Sequence, residues 1–513
     1  MPVNMFRKTV MLLLLLLPLL PVAAQALLLQ NGCRRGYLLP RQTETNAPKA
    51  VRKADTSVAA YQGDRHQLLV LAQFADKEFA DADPLSVWGR IFNEPNFHEE
   101  PFVGSVHDYF FAQSYGQLRL TFDMHLVQVD SLAKYRSTSS HDENSQYLVG
   151  DIIDTLMTRD IDWSLYDWDG DGTIEQLLIL YAGLGMHDGG GKNTIWPHQW
   201  WMSEHVDLTF IGDSTVYNKA RTVSYDGQDY LVDCYCVVNE IGKTSAPFGT
   251  ICHEYSHCFG LPDFYYGATS YLGAWDIMDS GNYNGNGYRP AGYSAHERML
   301  MGWLTPTELT EPVTVDSMAA LCHEPVAYLV RNSGCEDEYY IIENRQQEKW
   351  DAQLPSSGIV IFHVDYDPDV WRSVTCSPNC YSVNYASNRN RYTIIPANNS
   401  LLSILSRGWS YPYGNNNQLT DTSVPAALLI HENGEGTKLM GKPITKMNVT
   451  NGLASFRFMS DSVTLVSSQQ ETAGEGAVQV FDLSGRPVSE PKPGQLCLVR
   501  SAGGIIRKQL LKK

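Results

Sequence analysis

The stretch "GTICHEYSHCFGLPDFYY" places two histidines, a glutamate and an aspartate around one glycine. His253 and His257 are four residues apart, so on a helix their imidazoles project from one face and can share a metal ion. Glu254 lies one step round the helix, where it can reach a water at that metal without being a ligand. Gly260 tolerates left-handed backbone, and a turn there brings Asp263 back toward the histidines. Two imidazoles, one carboxylate and a water form the open tetrahedral arrangement of a catalytic zinc site.

An ordinary helix end that is rich in polar residues is the alternative interpretation. It explains the two histidines and the glutamate, but it gives no reason for a glycine three residues later and an acid three residues after that. The combined spacing therefore favours a metal site with Glu254 as its acid–base group.

Two later segments supply further candidates for this site. Met278, in "YLGAWDIMDSGNY", is a core residue by default and otherwise part of a turn beneath the metal ligands. Glu297, in "SAHERMLMGWL", is an alternative third zinc ligand to Asp263. His296 and Tyr283 are candidates for stabilising an oxyanion or contacting substrate, with core or surface roles as alternatives.

A second metal site is predicted in "DWDGDGTIE". Asp167, Asp169 and Asp171 alternate and are followed by Gly172, which is the oxygen-rich pattern that calcium prefers. The twelfth position of the loop is Leu178, so the segment is not an EF-hand. An aspartate-rich turn that makes only local hydrogen bonds is the alternative.

The order of elements predicts an α/β catalytic region followed by an all-β region. Apolar runs such as "HQLLVLAQF" and "IEQLLILYAGLG" indicate buried strands, and "SQYLVGDIIDTLM" indicates a helix. From about residue 310, short β-like runs ("PVTVDSM", "EYYIIENR", "GIVIFHVDY", "RYTIIPA", "LASFRFM") predict a β-sandwich. The predicted organisation is a signal peptide (1–26), a prosegment or linker (27–62), a catalytic domain (63–310), a β-sandwich domain (311–462), a linker (463–477) and a small β-rich tail (478–513).

The N-terminus predicts export from the cytoplasm. Arg7 and Lys8 precede a short apolar run, and Ala24-Gln25-Ala26 is a cleavage pattern, so a signal peptide is favoured over a membrane anchor. The formal net charge of the 513 residues is −18, which argues against nucleic acid or anionic lipid as partners. Ten cysteines permit disulfides, and Cys376 and Cys380 can close a small loop. Cys252 and Cys258 face different directions on a helix and are expected to be packed thiols.

These motifs together resemble the metzincin clan of zinc peptidases, and within it the immune inhibitor A family of secreted bacterial metallopeptidases. The resemblance rests on HExxHxxGLPD at the helix, on "SVHDYFFAQSYGQL", "IWPHQW" and "YYIIENRQQEKWDAQLPSSGIVIFHVD", and spans roughly residues 65 to 460. It implies an α/β (α+β) zincin-like fold and one catalytic zinc held by His253, His257 and Asp263. It also implies Glu254 as general base and acid, a methionine turn at Met278 and a structural calcium ion. A prosegment thiol, Cys33, is a candidate latch on the zinc, and a free or mispaired thiol is the favoured alternative.

The C-terminal tail resembles the sorting domain of the type IX secretion system of Bacteroidetes, through "VFDLSGRPV", a later "LVRSAGG" and a basic end. A small β-module with no address function is the alternative. The prediction is therefore an endopeptidase, released or held at the cell surface, with protein substrates and the type IX machinery as partners. The rival hypothesis is a cell-surface adhesin that retains an inactive peptidase scaffold; the intact Glu254 argues against it.

Overall fold

A computed structural model describes residues 61–135, 144–204, 220–367, 370–371, 383–384 and 389–460, together with three strands of the tail. The predicted signal peptide, most of the prosegment with Cys33, the "CSPNC" loop and the 463–477 linker lie outside the described residues. The described residues include no helix that is both long and apolar enough to span a bilayer.

Six α-helices, here α1 to α6, occur in the described chain. Their bounds are Pro84–Asn93, Val106–Gln113, Leu132–Tyr135, Ser145–Leu156, Pro247–Ser256 and Ala295–Leu300. The strands before residue 300, β1 to β7, are Gly63–Phe74, Leu118–Val129, Leu177–Leu184, His198–Trp201, Arg221–Tyr225, Gln228–Val232 and Cys234–Ile241.

The first sheet has the strand order β2-β1-β3-β7-β4. Its first four strands are parallel, and β4 pairs antiparallel with β7 at the edge. Both faces are covered: alternate residues of β1 belong to different apolar clusters, with Leu69 and Leu71 on one side and Leu68 and Val70 on the other. Burial on both faces explains why β1 and β3 are continuous apolar runs. The helix α5 packs its Ile251 and Tyr255 into the first of these clusters.

The remaining strands form two sheets that share a core. These strands, β8 to β15, are Thr307–Glu308, Val313–Met318, Tyr328–Arg331, Glu338–Arg345, Gly358–Asp365, Tyr392–Ile394, Ile444–Thr450 and Leu453–Phe458. Their orders are β13-β12-β11-β10-β8 and β14-β15-β9. Every segment that the sequence predicted as a strand here contains one. In the tail, β16 to β18 (Gln479–Phe481, Leu496–Arg500, Ile506–Leu510) form an antiparallel sheet.

The five-stranded sheet of this region is buried on both faces. Tyr340 and Ile342 of β11 pack toward β9, β14 and β15, whereas Ile341, between them, belongs to the same apolar cluster as α2 and α5. The hydrophobic core therefore continues across the predicted boundary at residue 310. The division into a catalytic domain and a β-sandwich domain at residue 310 remains a prediction from the sequence.

Ionic groups are also buried where β11 meets α6 and the segment before it. Arg345 is fully buried and donates both to Asp351, at 2.8 and 2.9 Å, and to Glu343, at 3.0 Å. Its guanidinium also donates to the carbonyl of Gly292, and Glu343 accepts from the backbone of Ala295. A buried charge that loses its partner typically costs about 3–5 kcal/mol, so this network fixes how α6 lies on the sheet.

His296 lies in this same interior, away from the cluster of His253 and His257. Its ring is fully buried among aromatic side chains and contacts Tyr339, Tyr366, Trp371 and Tyr392. Its suggested role at an oxyanion is therefore wrong, because no substrate reaches a ring enclosed by the core. Burial lowers the pKa of His296 to about 3.

We predict that His296 makes the protein sensitive to acid. The unfolded chain takes up a proton near pH 6.5 and the folded chain does so only near pH 3, so stability falls as the pH drops between these values. The loss reaches about 1.4 kcal/mol per pH unit. His296→Phe should therefore flatten the decline of unfolding free energy between pH 6 and pH 4, measured by denaturant titration. The same substitution at exposed His98 is the control, and an equal effect there would contradict the prediction.

Candidate metal and acid–base site

The helix α5 ends where the sequence predicts. It begins at Pro247, whose missing N–H suits the first turn, and passes at Ser256 into a short 3-10 helix, His257–Phe259. Gly260 follows with φ of 79°, a left-handed conformation that glycine adopts without a Cβ penalty. The chain then turns back along the helix.

This turn brings Asp263 to the two imidazoles. Asp263 Oδ1 is 3.2 Å from His253 Nε2 and 3.5 Å from His257 Nε2. The same oxygen is buried and has no hydrogen-bond donor. Glu254 lies on the same side: its Oε2 is 3.9 Å from His257 Nε2, and ligand atoms of His253, Glu254 and His257 lie within 4.8 Å of one another. The four residues singled out from the sequence therefore form one cluster.

Backbone carbonyls orient both imidazoles. His253 Nδ1 is 2.7 Å from the carbonyl of Ile277, and His257 Nδ1 is 2.6 Å from the carbonyl of Leu261. A carbonyl accepts only, so each Nδ1 carries a proton, and in the neutral ring each Nε2 presents a lone pair toward Asp263. Met278, next to Ile277, is fully buried, and its carbonyl accepts from Phe264. The turn at Met278 thus holds one imidazole and also the segment that carries Asp263.

A close backbone contact fixes the position of α5. A Cβ on Gly249 would lie 1.9 Å from the carbonyl oxygen of Asn282, and one on Gly287 would lie 2.3 Å from that of Ala246. Only glycine permits this approach, which explains the glycine-rich sequence "SGNYNGNG" beside the helix.

The electrostatics of the cluster favour a positive charge. Burial opposes protonation of His253, but the adjacent Asp263 and Glu254 carboxylates outweigh burial and raise its pKa to about 9, so this ring attracts a cation at Nε2, either a proton or a metal ion. Burial raises the pKa of Glu254 to about 7, which is near the value that suits a general base at neutral pH. Burial lowers the pKa of His257, which stays neutral and able to bind a metal.

Glu297, the alternative third ligand, makes other contacts. It is fully buried at the start of α6, where it forms a capping box: its carboxylate accepts from the backbone and hydroxyl of Ser294. A side-chain hydrogen bond joins it to Asp276, so one of these carboxyls must be protonated, and burial raises the pKa of both. In the described chain, no ion pair joins Glu297 to either histidine of the cluster.

The edge strand β4 lies beside Glu254. The Gln199 backbone donates a hydrogen bond to the Glu254 carboxylate. Among the described residues, β4 has β7 as its single strand neighbour, so its other edge is open toward the cluster. The "IWPHQW" segment was recognised in the sequence by resemblance, but this contact with Glu254 was not foreseen.

A cavity of about 240 Å³ opens next to His253 and Glu254. It is lined by α5, by the loop 265–270 and by residues 279–283, and Trp196 closes another side. Tyr283 stands half-exposed at this cavity, which keeps it available for substrate contact as suggested from the sequence.

The predicted calcium loop contains a different acidic group from the one foreseen. Ligand atoms of Asp167, Asp169 and Glu175 lie within 4.8 Å of one another. Asp171 is outside this group, and its Oδ1 accepts from the backbone of Thr173. Glu175 is the ninth residue of this loop, whereas EF-hand spacing predicts the last acid at the twelfth position. Burial raises the pKa of Asp167, and the nearby charges of Asp171 and Asp169 add to this.

The thiols of α5 and of the short helix after it are packed side chains. Cys252 and Cys258 are both buried and form no disulfide with each other, as expected from their positions on the helix.

Comparison with known proteins places this cluster inside a recognisable domain. Residues 97–303 match the family model described as the catalytic domain of immune inhibitor A peptidase M6. The chain is 27% identical over 298 residues to Immune inhibitor A of Bacillus thuringiensis subsp. alesti, an alignment that covers 48% of this chain and 42% of that relative. Residues 97–303, which include all four clustered residues, are therefore similar to a peptidase catalytic domain of the M6 family.

Proposed function

We propose that the protein is a secreted zinc-dependent endopeptidase. The observation that carries the proposal is the buried Asp263 oxygen, which has no donor and lies between two Nε2 lone pairs. When both rings are neutral, three acceptor atoms converge at this point, and that arrangement is unfavourable unless a cation lies among them. Two imidazoles and a carboxylate suit zinc, and His253, His257 and Asp263 would hold it.

Zinc, when bound, would supply Lewis-acid activation of water and of the scissile carbonyl. Glu254 would accept the proton of the attacking water on its carboxylate and return it to the leaving amine. The backbone N–H of Gln199 orients this carboxylate, and its raised pKa suits it to exchange a proton near neutral pH. The carbonyls of Ile277 and Leu261 keep both imidazoles in the tautomer that binds metal.

The open edge of β4 supports a peptide as substrate. An extended chain can add to a free strand edge through main-chain hydrogen bonds, whatever its side chains are. Because Glu254 receives a bond from β4 itself, a peptide on that edge would pass directly by the acid–base group. Side-chain preference would then arise from the adjacent cavity.

An inactive adhesin with the same scaffold is the rival function. The two are separated by measuring bound zinc in the purified protein and casein hydrolysis before chelation, after chelation and after zinc is restored. We expect about one zinc per chain and activity that follows zinc content. Full zinc occupancy without any hydrolysis would favour the adhesin, and hydrolysis that survives complete removal of zinc would refute the mechanism.

We also propose that Asp167, Asp169 and Glu175 hold a structural calcium ion. Their carboxylates approach one another in a loop where Gly170 and Gly172 adopt positive φ angles, and oxygen is the ligand that calcium prefers. Asp167 also accepts from the backbone of Gly170, Asp171 and Gly172, which shapes the loop before any ion binds.

Calcium should therefore stabilise the protein through Glu175. At a calcium concentration 100 times the dissociation constant, binding adds about 2.7 kcal/mol to the unfolding free energy. Thermal unfolding with calcium and with a calcium chelator should show this gain in the natural protein and lose most of it in Glu175→Gln. Asp171→Asn is the matched control. An equal loss of calcium stabilisation in Asp171→Asn would instead support Asp167, Asp169 and Asp171, the three aspartates predicted from the sequence, as the calcium ligands.

Export is proposed to depend on both ends of the chain. The N-terminal pattern fits a cleaved signal peptide, and the tail that resembles a type IX sorting domain contains the three-stranded sheet of β16 to β18. Removing residues 478–513 should leave the enzyme in the periplasm, as measured by fractionation of a producing cell. Normal release of the truncated protein would refute the sorting role.

A further inference from the structure

The cavity beside Glu254 contains a buried acid that the reaction does not use. Asp279 lines the cavity and is 2% exposed. Its Oδ2 accepts from the backbone of Tyr271 and Leu272, each at 2.8 Å, and its Oδ1 accepts from Ser270 Oγ at 2.6 Å and Ser280 Oγ at 2.8 Å. Four donors surround the carboxylate, yet none of them carries a positive charge.

The two serines that donate to Asp279 present hydrogen-bond acceptors to the cavity. Ser270 and Ser280 each have one hydroxyl proton, and the short bonds to Asp279 use it. What remains on each oxygen is lone-pair capacity, so both serines can accept from a ligand but have no further proton to donate. Ser270 and Ser280 both line the cavity.

Asn282 adds to the acceptors of this wall. Its Oδ1 is buried and has no hydrogen-bond donor, and Thr250 Oγ1, also at the cavity, is buried and unpartnered. Buried polar atoms without partners cost free energy that a suitable ligand would recover. A side chain that brings several N–H donors would satisfy the acceptors of this wall.

The rest of the lining leaves the charge of Asp279 uncompensated. Among the described residues, no Lys or Arg side chain lines the cavity; burial lowers the pKa of His187, which does line it, and His253, which also lines it, is paired with Asp263. Leu, Ile, Val, Met and Phe are absent from the described lining as well, so an aliphatic side chain would leave the acceptors unsatisfied. A carboxylate would be repelled by Asp279, whereas an ammonium or guanidinium group is attracted and donates to every acceptor.

From this geometry we propose that the cavity binds a lysine or arginine side chain of the peptide substrate, beside the bond that is cut, and that Asp279 determines this preference. The inference rests on the proposed peptidase function and adds its substrate class. A volume of about 240 Å³ suits a single long side chain rather than a bulky ligand.

The first test is the distribution of cleavage sites. The zinc-loaded full-length protein is incubated with a mixture of peptides of random sequence, and the cut bonds are identified by mass spectrometry. We expect Lys and Arg to be enriched at one fixed position next to the cut, with Asp and Glu depleted there. Zinc-dependent cleavage without any such enrichment overturns the inference and leaves the proposed function intact. A lack of any zinc-dependent cleavage refutes both.

The second test assigns the preference to Asp279. Two peptides that differ only by Lys or Gln at the enriched position are compared through their kcat/KM ratio. In Asp279→Asn the Lys/Gln ratio should fall at least about tenfold, because the amide keeps the volume and loses the charge. Asp316→Asn, an exposed carboxylate on β9, is the matched control and should keep the natural ratio. An unchanged ratio in folded Asp279→Asn would overturn the assignment.

Because Asp279 also supports the loop at Tyr271 and Leu272, a milder variant accompanies it. Ser280→Ala removes one acceptor and leaves three donors on the carboxylate, and we expect the Lys/Gln ratio to fall a few-fold. The same peptides titrated into Glu254→Gln give a readout free of hydrolysis, in which the Lys peptide should bind more tightly. Equal binding of the two peptides there would also overturn the inference.

Discussion

Glu254→Gln should lose nearly all peptide hydrolysis while it keeps its zinc. The amide has the size of the carboxylate but cannot accept the proton of the attacking water, and positioned acid–base groups contribute roughly 10²–10⁴-fold to a rate. Glu254 lies 3.9 Å from His257 Nε2, so its loss changes the cluster little. We expect kcat/KM on casein or a quenched fluorescent peptide to fall at least about a thousandfold.

Zinc content and thermal unfolding are measured on the same preparation of Glu254→Gln. Both should match the natural protein, which would show that the lost activity reflects chemistry rather than folding. Activity within about tenfold of the natural protein would rule out Glu254 as the proton acceptor. Loss of zinc together with activity would instead indicate that Glu254 is a zinc ligand. This is the competing assignment, because the Glu254 carboxylate lies close to the ligand atoms of His253 and His257.

Asp263→Ala should release zinc, whereas Glu297→Gln should retain it. Asp263 lies 3.2 and 3.5 Å from the two Nε2 atoms, while Glu297 hydrogen-bonds Ser294 and Asp276. Mutating a residue that hydrogen-bonds a metal ligand typically weakens metal binding roughly 10–100-fold, and removing one of the three protein ligands themselves should weaken zinc binding at least as much. Competition against a chromophoric chelator measures the affinity of each variant.

The two substitutions are expected to separate zinc affinity from stability. Glu297→Gln alters a buried capping box and a shared proton, so it should lower the unfolding temperature even though zinc stays bound. Asp263→Ala should unfold like the natural protein stripped of zinc. The reverse pattern, with zinc lost from Glu297→Gln and kept by Asp263→Ala, would assign the third ligand to Glu297.

The sequence was most informative where a function needs residues that are close along the chain. The helix at His253, its end at Gly260 and the return of Asp263 all lie within eleven residues, and local rules for helices and glycine turns predict them. The long apolar run of β3 likewise identified a central strand, because burial on both faces leaves no polar alternation.

Prediction failed where a role depends on distant packing. Nothing local to His296 indicates that β11, β13 and the residues that follow β12 will enclose it in aromatic rings. Glu297 is different, since Ser294-x-x-Glu297 is the capping-box pattern and the sequence already contained the signal for a helix start. Asp279 follows Met278 directly, but only the fold reveals that the hydroxyl groups of Ser270 and Ser280 donate their hydrogen bonds to it.

The sheet that contains β11 and β12 limits where the chain can be divided. Ile341 on one face belongs to the same apolar cluster as α5, and Tyr340 and Ile342 on the other belong to the cluster of the trailing strands. A fragment cut at residue 310 would expose an apolar surface that the intact chain covers, and such surfaces promote aggregation. A fragment that is meant to stay folded should therefore keep β11 and β12 together with the segment that resembles a peptidase.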